Sequence, residues 1–283
     1  GGHRRARTDR CGTQPGSADV TQQPAAIVTG AGAGIGLATA HRLHRLGMRL
    51  VLVDTEPGRV RQLAAKLGAV PVVGDVADPA VSEQAVRAAA SSYGRLDLLH
   101  LNAGRMTTRD LAVVDLRSLD LAAYLATVGA NMDGVVFGIR AALPVLHGTP
   151  PSAIVVTASL AGLTPFPPDP IYTMTKHAVV GLVRSLAELL AAEGITICAL
   201  CPGFVDTPLI AGARHRFTAA GFPLISAEHA AAAVEHAWRA AEPGALWALQ
   251  PGREPVRYRP AGVPGPARPD HGAGGAPLLP PLS

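Results

Sequence analysis

The chain has 283 residues, 48% of them hydrophobic and 16% charged, with a formal net charge of +4. That length suits one large domain or two small ones, and the apolar content excludes disorder throughout. The charge divides unevenly: residues 1–24 and 251–283 each carry a net +2, and residues 25–250 hold 17 groups of either sign. A neutral central region argues against a phosphate-tracking basic face, so no nucleic-acid partner is expected. No apolar run approaches the roughly 18 residues that cross a bilayer, so no membrane partner is expected either. The N-terminus lacks the apolar stretch of a signal peptide, and three cysteines make no disulfide framework. Both point to a reducing, cytoplasmic setting.

Residues 1–24 are polar and aperiodic and predict a disordered arm. From Pro260 to Ser283, Pro and Gly fill 12 of 24 positions, so 251–283 is expected to form a largely disordered tail. Between them, short apolar runs alternate with amphipathic stretches. Strands are predicted at Ala26–Thr29, Leu50–Val53, Val70–Val73, Leu96–Leu101, Ala153–Thr157, Ile195–Leu200 and Ala245–Leu249. Helices follow at Ile35–Leu46, Gly58–Leu67, Pro79–Tyr93, Asp120–Leu146, Tyr172–Ala192 and Ala227–Ala240. The β-branched and Leu-rich strands, with little alternation, suit burial on both faces. The expected fold is α/β: one doubly wound, Rossmann-like domain over 25–250, its seven-stranded, mostly parallel sheet covered by helices on both faces.

The first strand runs into Thr29-Gly30-Ala31-Gly32-Ala33-Gly34-Ile35-Gly36, which opens a helix. Unpaired N–H groups at a helix start suit a pyrophosphate, and glycines let it approach the backbone. The spacing is T-G-x-x-x-G-x-G, not G-x-G-x-x-G; by itself it equally describes a tight strand–helix turn. The second strand ends in Asp54, 20 residues after Gly34. A carboxylate there accepts hydrogen bonds from ribose hydroxyls and repels a 2′-phosphate, which favours NAD over NADP. An exposed strand-end aspartate is the plain alternative.

Tyr172 and Lys176 stand at i and i+4, on one helix face. A phenol needs a nearby positive charge to act as a base at neutral pH. Lys176 is one of only two lysines in the chain, and Tyr172 follows Ser159 by 13 residues. Elsewhere, Cys198 and Cys201 are formally C-x-x-C but sit on a predicted strand, where residues three apart face opposite sides. His41 and His44 share a helix face without a third ligand, so no metal is expected. The proline-rich segment Thr164–Pro170 lies between Ser159 and Tyr172 and is expected to wall the substrate pocket.

With these pieces in order, residues 24–250 resemble a short-chain dehydrogenase/reductase of the compact, single-domain type. The matching motifs are Thr29–Gly36, Asp75, Asn102-Ala103-Gly104, Asn131, Ser159, Tyr172, Lys176, and Pro202-Gly203 with Thr207. The resemblance implies that Tyr172 takes the hydroxyl proton of an alcohol while Ser159 holds the same oxygen. It implies that Lys176 lowers the tyrosine pKa and binds the nicotinamide ribose, and that Asn131 holds a water relaying protons to solvent. Gly30, Ala33, Gly34, Ile35 and Gly36 would cradle the cofactor, with Asp54 at its ribose. Asp75 and Val76 would contact adenine, and Asn102, Ala103 and Gly104 would line the adenosine side. Pro202, Gly203, Val205 and Thr207 would flank the nicotinamide.

Leu160, Phe166 and Phe204, beside Ser159 and Tyr172, would meet a small to medium, fairly apolar substrate. The expected activity is NAD(H)-dependent interconversion of a secondary alcohol and a ketone, in a homotetramer or homodimer. An NADPH-dependent carbonyl reductase and a non-catalytic cofactor-binding regulator remain as alternatives. Two features depart from the family pattern. Gly244–Arg253 (GALWALQPGR) lacks the usual Asp-Gly-Gly ending, and the segment after Thr207 is short, predicting a small lid.

Overall fold

The computed structural model describes residues 23–108 and 111–262. Most of the arm expected over 1–24, and the tail from 263 onward, lie outside the described residues. The strands are β1 (Ala25–Thr29), β2 (Arg49–Asp54), β3 (Val70–Val73), β4 (Leu98–Leu101), β5 (Ser152–Thr157), β6 (Ile195–Pro202), β7 (Leu246–Leu249) and β8 (Val256–Tyr258). They form one sheet in the order β3-β2-β1-β4-β5-β6-β7-β8, parallel except for the antiparallel β7–β8 pair. The chain leaves β1 toward β2 and β3, then returns to the other side of β1 at β4. That reversal opens a crevice at the carboxyl edge between β1 and β4, where open α/β sheets bind ligands.

The helices are α1 (Gly34–Arg45), α2 (Pro57–Leu67), α3 (Pro79–Tyr93), α4 (Leu121–Val128), α5 (Gly134–His147), α6 (Pro170–Ala191), α7 (Arg214–Ala219) and α8 (Ala227–Ala240). Ile27, Val135, Ile139 and Val179 share one buried cluster with α3, α5 and α6. Val28, Leu43, Val60 and Val234 share the opposite one with α1, α2 and α8. Strand side chains alternate between these two layers, and this explains the unbroken apolar runs. Cys201 faces the first layer and Cys198 the second, both as free thiols.

Three elements differ from the sequence reading. The described sheet has eight strands, not seven, and the eighth falls inside the segment expected to be tail. β8 offers no apolar signal because all three residues are exposed. Its place is fixed by ladder pairing to Leu246–Ala248 and by the Arg257–Glu242 ion pair at 2.6 Å. The single helix expected over Asp120–Leu146 is interrupted by a π turn at Gly129–Asp133, which turns Asn131 fully inward. The run Leu121–His147 is nevertheless continuous, and by length and composition alone it could cross a membrane. Its inner residues Val135, Ile139 and Leu146 pack in the core. The third difference is the short helix α7, which had no counterpart among the predicted helices.

Candidate active site

Each half of the crevice is built by a short stretch that the local sequence forces into place. Gly30 and Gly34 adopt left-handed backbone conformations (φ +64° and +52°) that let the turn reverse tightly. A Cβ on Gly36 would stand 2.1 Å from the Gly30 carbonyl oxygen, so only glycine lets α1 start there. α1 begins at Ala33 with no side-chain cap and no acidic residue in its first turn. By contrast α3, α4, α6 and α8 are capped by Asp78, Asp120, Asp169 and Ser226. The helix aimed at the crevice thus keeps its positive end open for an anion.

Asp54 lies at one end of the turn. Its carboxylate accepts hydrogen bonds from the backbone N–H of Gly32 (2.8 Å) and of Glu56 (3.0 Å). A Cβ on Gly32 would come within 2.9 Å of that carboxyl carbon, so Gly32 serves Asp54, a role the spacing did not reveal. Asp75 holds its own turn by accepting from the Ala77 N–H, and Val76 lies buried under Gly134.

Thr29 and Asn102 join β1 to β4. The Thr29 hydroxyl oxygen accepts from the N–H groups of Asn102 (2.9 Å) and Ala103 (3.1 Å). The Asn102 amide nitrogen donates to the Thr29 carbonyl at 3.1 Å. Asn102 Oδ1 must therefore accept, and it does so from the Thr157 hydroxyl at 3.1 Å. That hydroxyl has spent its proton, so His100 Nε2, 3.0 Å away, must donate to it. The tautomer of a fully buried imidazole is fixed in this way, with Nδ1 left as an unpartnered acceptor. Burial pushes the His100 pKa down to about 3, so the ring stays neutral. Neither His100 nor Thr157 stood out in the sequence.

The other half carries the hydroxyl groups. Ser159 follows β5, and its Oγ accepts from the Ala161 N–H at 3.1 Å. Tyr172 sits in the first turn of α6, whose start is set by the buried Asp169 cap and by Pro170. Asp169 accepts from the N–H of Tyr172 (2.9 Å) and from that of Thr107 (2.8 Å). Asp169-Pro170 is a local helix-start signal that the surrounding prolines conceal. Burial pushes the phenol up to about 12, and Asp169 and Cys201 push the same way; the nearby Ser159 hydroxyl works against them.

Lys176 is buried, and desolvation brings it down to about 8. Its Nζ donates to the Thr157 carbonyl at 2.9 Å and lies 5.5 Å from the Tyr172 ring centre. In this geometry burial, not the lysine, dominates the tyrosine. Asn131 receives the Arg105 N–H at Oδ1 (2.8 Å) and donates to the Arg105 carbonyl and to Thr175. Thr207 crosses the crevice: a Cβ on Gly34 would meet its methyl at 2.9 Å.

The crevice holds two adjoining cavities of about 470 and 590 Å³, which share Gly30, Asp54, Ala103 and Gly104. The first brings together Ala33, Gly34, Ile35, Asn102, Ser159, Leu160, Phe166, Tyr172, Lys176, Pro202, Gly203, Phe204, Val205 and Thr207. The second adds Asp75 and Val76. Gly36 and Asn131 lie behind the walls. A dinucleotide fits this donor set: uncapped N–H groups for its phosphates, Asp54 for a ribose, and apolar walls for its rings. His41 and His44 take no part, and among the described residues no group of three ligands could hold a metal.

Residues 24–216 match the family model for short chain dehydrogenase. The chain belongs to the short-chain dehydrogenases. This dehydrogenase is 37% identical to the granaticin polyketide synthase putative ketoacyl reductase 1 of Streptomyces violaceoruber, over 72% of the chain and 74% of the relative. It is 35% identical to the cis-2,3-dihydrobiphenyl-2,3-diol dehydrogenase of a Pseudomonas species, over 65% of the chain and 67% of the relative. Its fold is similar to that of 3-ketoacyl-(acyl-carrier-protein) reductase from Brucella melitensis complexed with NADH. There the TM-score is 0.74 at 27% identity, over 82% of the chain and 98% of that structure. The dehydrogenase is therefore an oxidoreductase of a fold that binds a nicotinamide cofactor.

Proposed function

We propose that this dehydrogenase interconverts a secondary alcohol and a ketone with NAD(H). The observation that carries the reading is the meeting of Ser159, Tyr172 and Lys176 on the wall of one cavity whose nucleotide end holds Asp54. In the oxidative direction Tyr172, as phenolate, takes the hydroxyl proton. Ser159 turns its hydroxyl toward the same oxygen and holds it while the carbonyl forms. When bound, the nicotinamide supplies hydride chemistry at the carbinol carbon and, in its oxidised form, a positive charge beside the phenol. Lys176 adds its ammonium on the inner side, and the two charges together oppose the burial that raises Tyr172.

Asn131 and Lys176 converge on one small space. A Cβ on Gly104 would lie 3.0 Å from Asn131 Oδ1 and 3.5 Å from Lys176 Nζ. Oδ1 retains one lone pair, which suits a water relaying protons from the lysine.

The preference for NAD rests on Asp54, whose carboxylate is pinned facing the groove and whose neighbours are Thr55 and Glu56. The Brucella melitensis reductase complexed with NADH agrees with it. The exposed Leu121 and Leu125 of α4 and Leu189 of α6 support the homodimer or homotetramer. Two buried free thiols suit a cytoplasmic setting. The test is a Tyr172→Phe variant assayed for NADH binding by fluorescence and for turnover of secondary alcohols. Binding is expected to persist while kcat falls by about 10²–10⁴-fold. Retained activity would remove the phenol from the mechanism.

A further inference from the structure

Four of the chain's five phenylalanines, Phe166, Phe204, Phe217 and Phe222, form one ring cluster beside the first cavity. They come from three separate stretches of chain, so the gathering is made by the fold. Phe204 is the hub. Its ring centre lies 6.0 Å from Phe166 at 64°, 5.9 Å from Phe222 at 84° and 4.6 Å from Phe217 at 53°. These are edge-to-face and tilted arrangements, which leave ring faces and edges free for a further ring. None of the four is buried, and Phe222 is 45% exposed. A cluster serving only as lid core would hide its rings; this one presents three of them to the cavity, Phe166, Phe204 and Phe222.

Two more observations narrow the guest. Phe166 packs on the small apolar cluster of Met106, Ala161 and Tyr172, so the aromatic seat adjoins the reactive phenol. Among the described residues lining this cavity only Asp54 and Lys176 are charged, and both belong to the nucleotide side. A carboxylate, or the phosphates of a carrier-bound thioester, would lose its hydration here without gaining a partner. A flexible alkyl chain would have to freeze its rotors to fill the space; a rigid ring would not.

Resting on the alcohol–ketone reading above, we infer that the substrate is an uncharged ring compound, aromatic or fused alicyclic, whose carbinol carbon lies in the ring or next to it. Phe204 forms the floor of the seat, and Phe166 and Phe222 close on its sides.

The experiment compares tetralol, 2-decanol and 3-hydroxybutyrate as substrates of the full-length protein with NAD. Tetralol and 2-decanol match in carbon number. The expected kcat/KM for tetralol exceeds that for 2-decanol by about tenfold and that for 3-hydroxybutyrate by about a hundredfold. Phe166→Leu and Phe222→Leu keep apolar bulk but remove the ring, and each should cut the tetralol advantage several-fold with NADH binding unchanged. Equal or better turnover of 2-decanol or 3-hydroxybutyrate by the wild type would overturn the ring seat and leave the alcohol–ketone reading standing. So would an unaltered preference in both variants. No turnover of any of the three, with NADH demonstrably bound, would overturn the alcohol–ketone reading itself and the ring seat with it.

Discussion

Replacing His100 with Leu tests the hydrogen-bond chain that joins β4 and β5 behind the crevice. The imidazole is fully buried, and its pKa lies at about 3 against an ordinary 6.5. Above the ordinary value the ring is neutral in folded and unfolded chains alike and contributes no pH dependence. Below it the unfolded chain takes up a proton that the folded chain refuses, so stability falls as pH falls, until the folded value is reached. At about 1.4 kcal/mol per unit, the loss from this one ring reaches ~2 kcal/mol near pH ~5. Urea unfolding of the wild type and of His100→Leu, each at about pH 7.5 and about pH 5, isolates the term from the other nine of ten histidines. The wild type should lose ~2 kcal/mol more than the variant over that interval. Near neutrality the two should differ by only about 1 kcal/mol, because Thr157 still donates to Asn102 and the orphaned Nδ1 is gone. Parallel losses in the two proteins would refute the buried neutral imidazole.

Four further variants test the same geometry. Asp54→Asn removes a fixed charge; at 4 Å and an effective dielectric of 20 the repulsion approaches ~4 kcal/mol, and solvent and salt reduce it to ~2 kcal/mol. The NADPH-to-NADH ratio of kcat/KM should rise about 30-fold, and a ratio unchanged in steady-state assays would count against Asp54 as the discriminator. Gly36→Ala sets a methyl against the Gly30 carbonyl and 2.8 Å from the Asn102 amide nitrogen. NADH binding by fluorescence titration should be lost, with a stability cost of about 1–3 kcal/mol in urea unfolding. Asp169→Asn takes away a charge that raises Tyr172, so the kcat profile for alcohol oxidation should move to lower pH, while its one amide oxygen replaces only one of the two acceptors at a cost of about 1–2 kcal/mol. Asp169→Ala should instead cost roughly 2–4 kcal/mol of stability, because two buried N–H groups lose their acceptor.

What was legible in the sequence shares one property: the information is local. Thr29–Gly36 is a contiguous turn, Tyr172 and Lys176 are one helical turn apart, and the buried strands are unbroken apolar runs. What escaped is held by partners distant in sequence or by backbone alone. His100 meets Thr157 from 57 residues away, and a polar residue in a short strand gives no hint of that pairing. β8 carries no buried side chain and is defined by its ladder. The π turn at Gly129–Asp133 falls where glycines flank Asn131, yet helical periodicity runs through it on both sides. Phe217 and Phe222 reach Phe204 from a segment after Thr207 that folds back at the Val205–Ile225 bridge.

Asp169 binds the loop at Thr107 and the start of α6 with one carboxylate, and Val114 is tied to Pro168 beside it. The pocket wall on that side and the phenol that performs the chemistry therefore form a single rigid body. Widening the entrance from the Thr107 side would drag the tyrosine out of alignment. The opposite wall, from Phe204 to Ile225, meets the first through the Phe166–Phe204 ring pair but is otherwise held by contacts of its own: the Val205–Ile225 bridge, the Asp206–Arg214 pair and the Phe217–Phe222 turn. A change of substrate size has one tolerant route, through that second wall, and variants selected for new substrates should accumulate between residues 204 and 225.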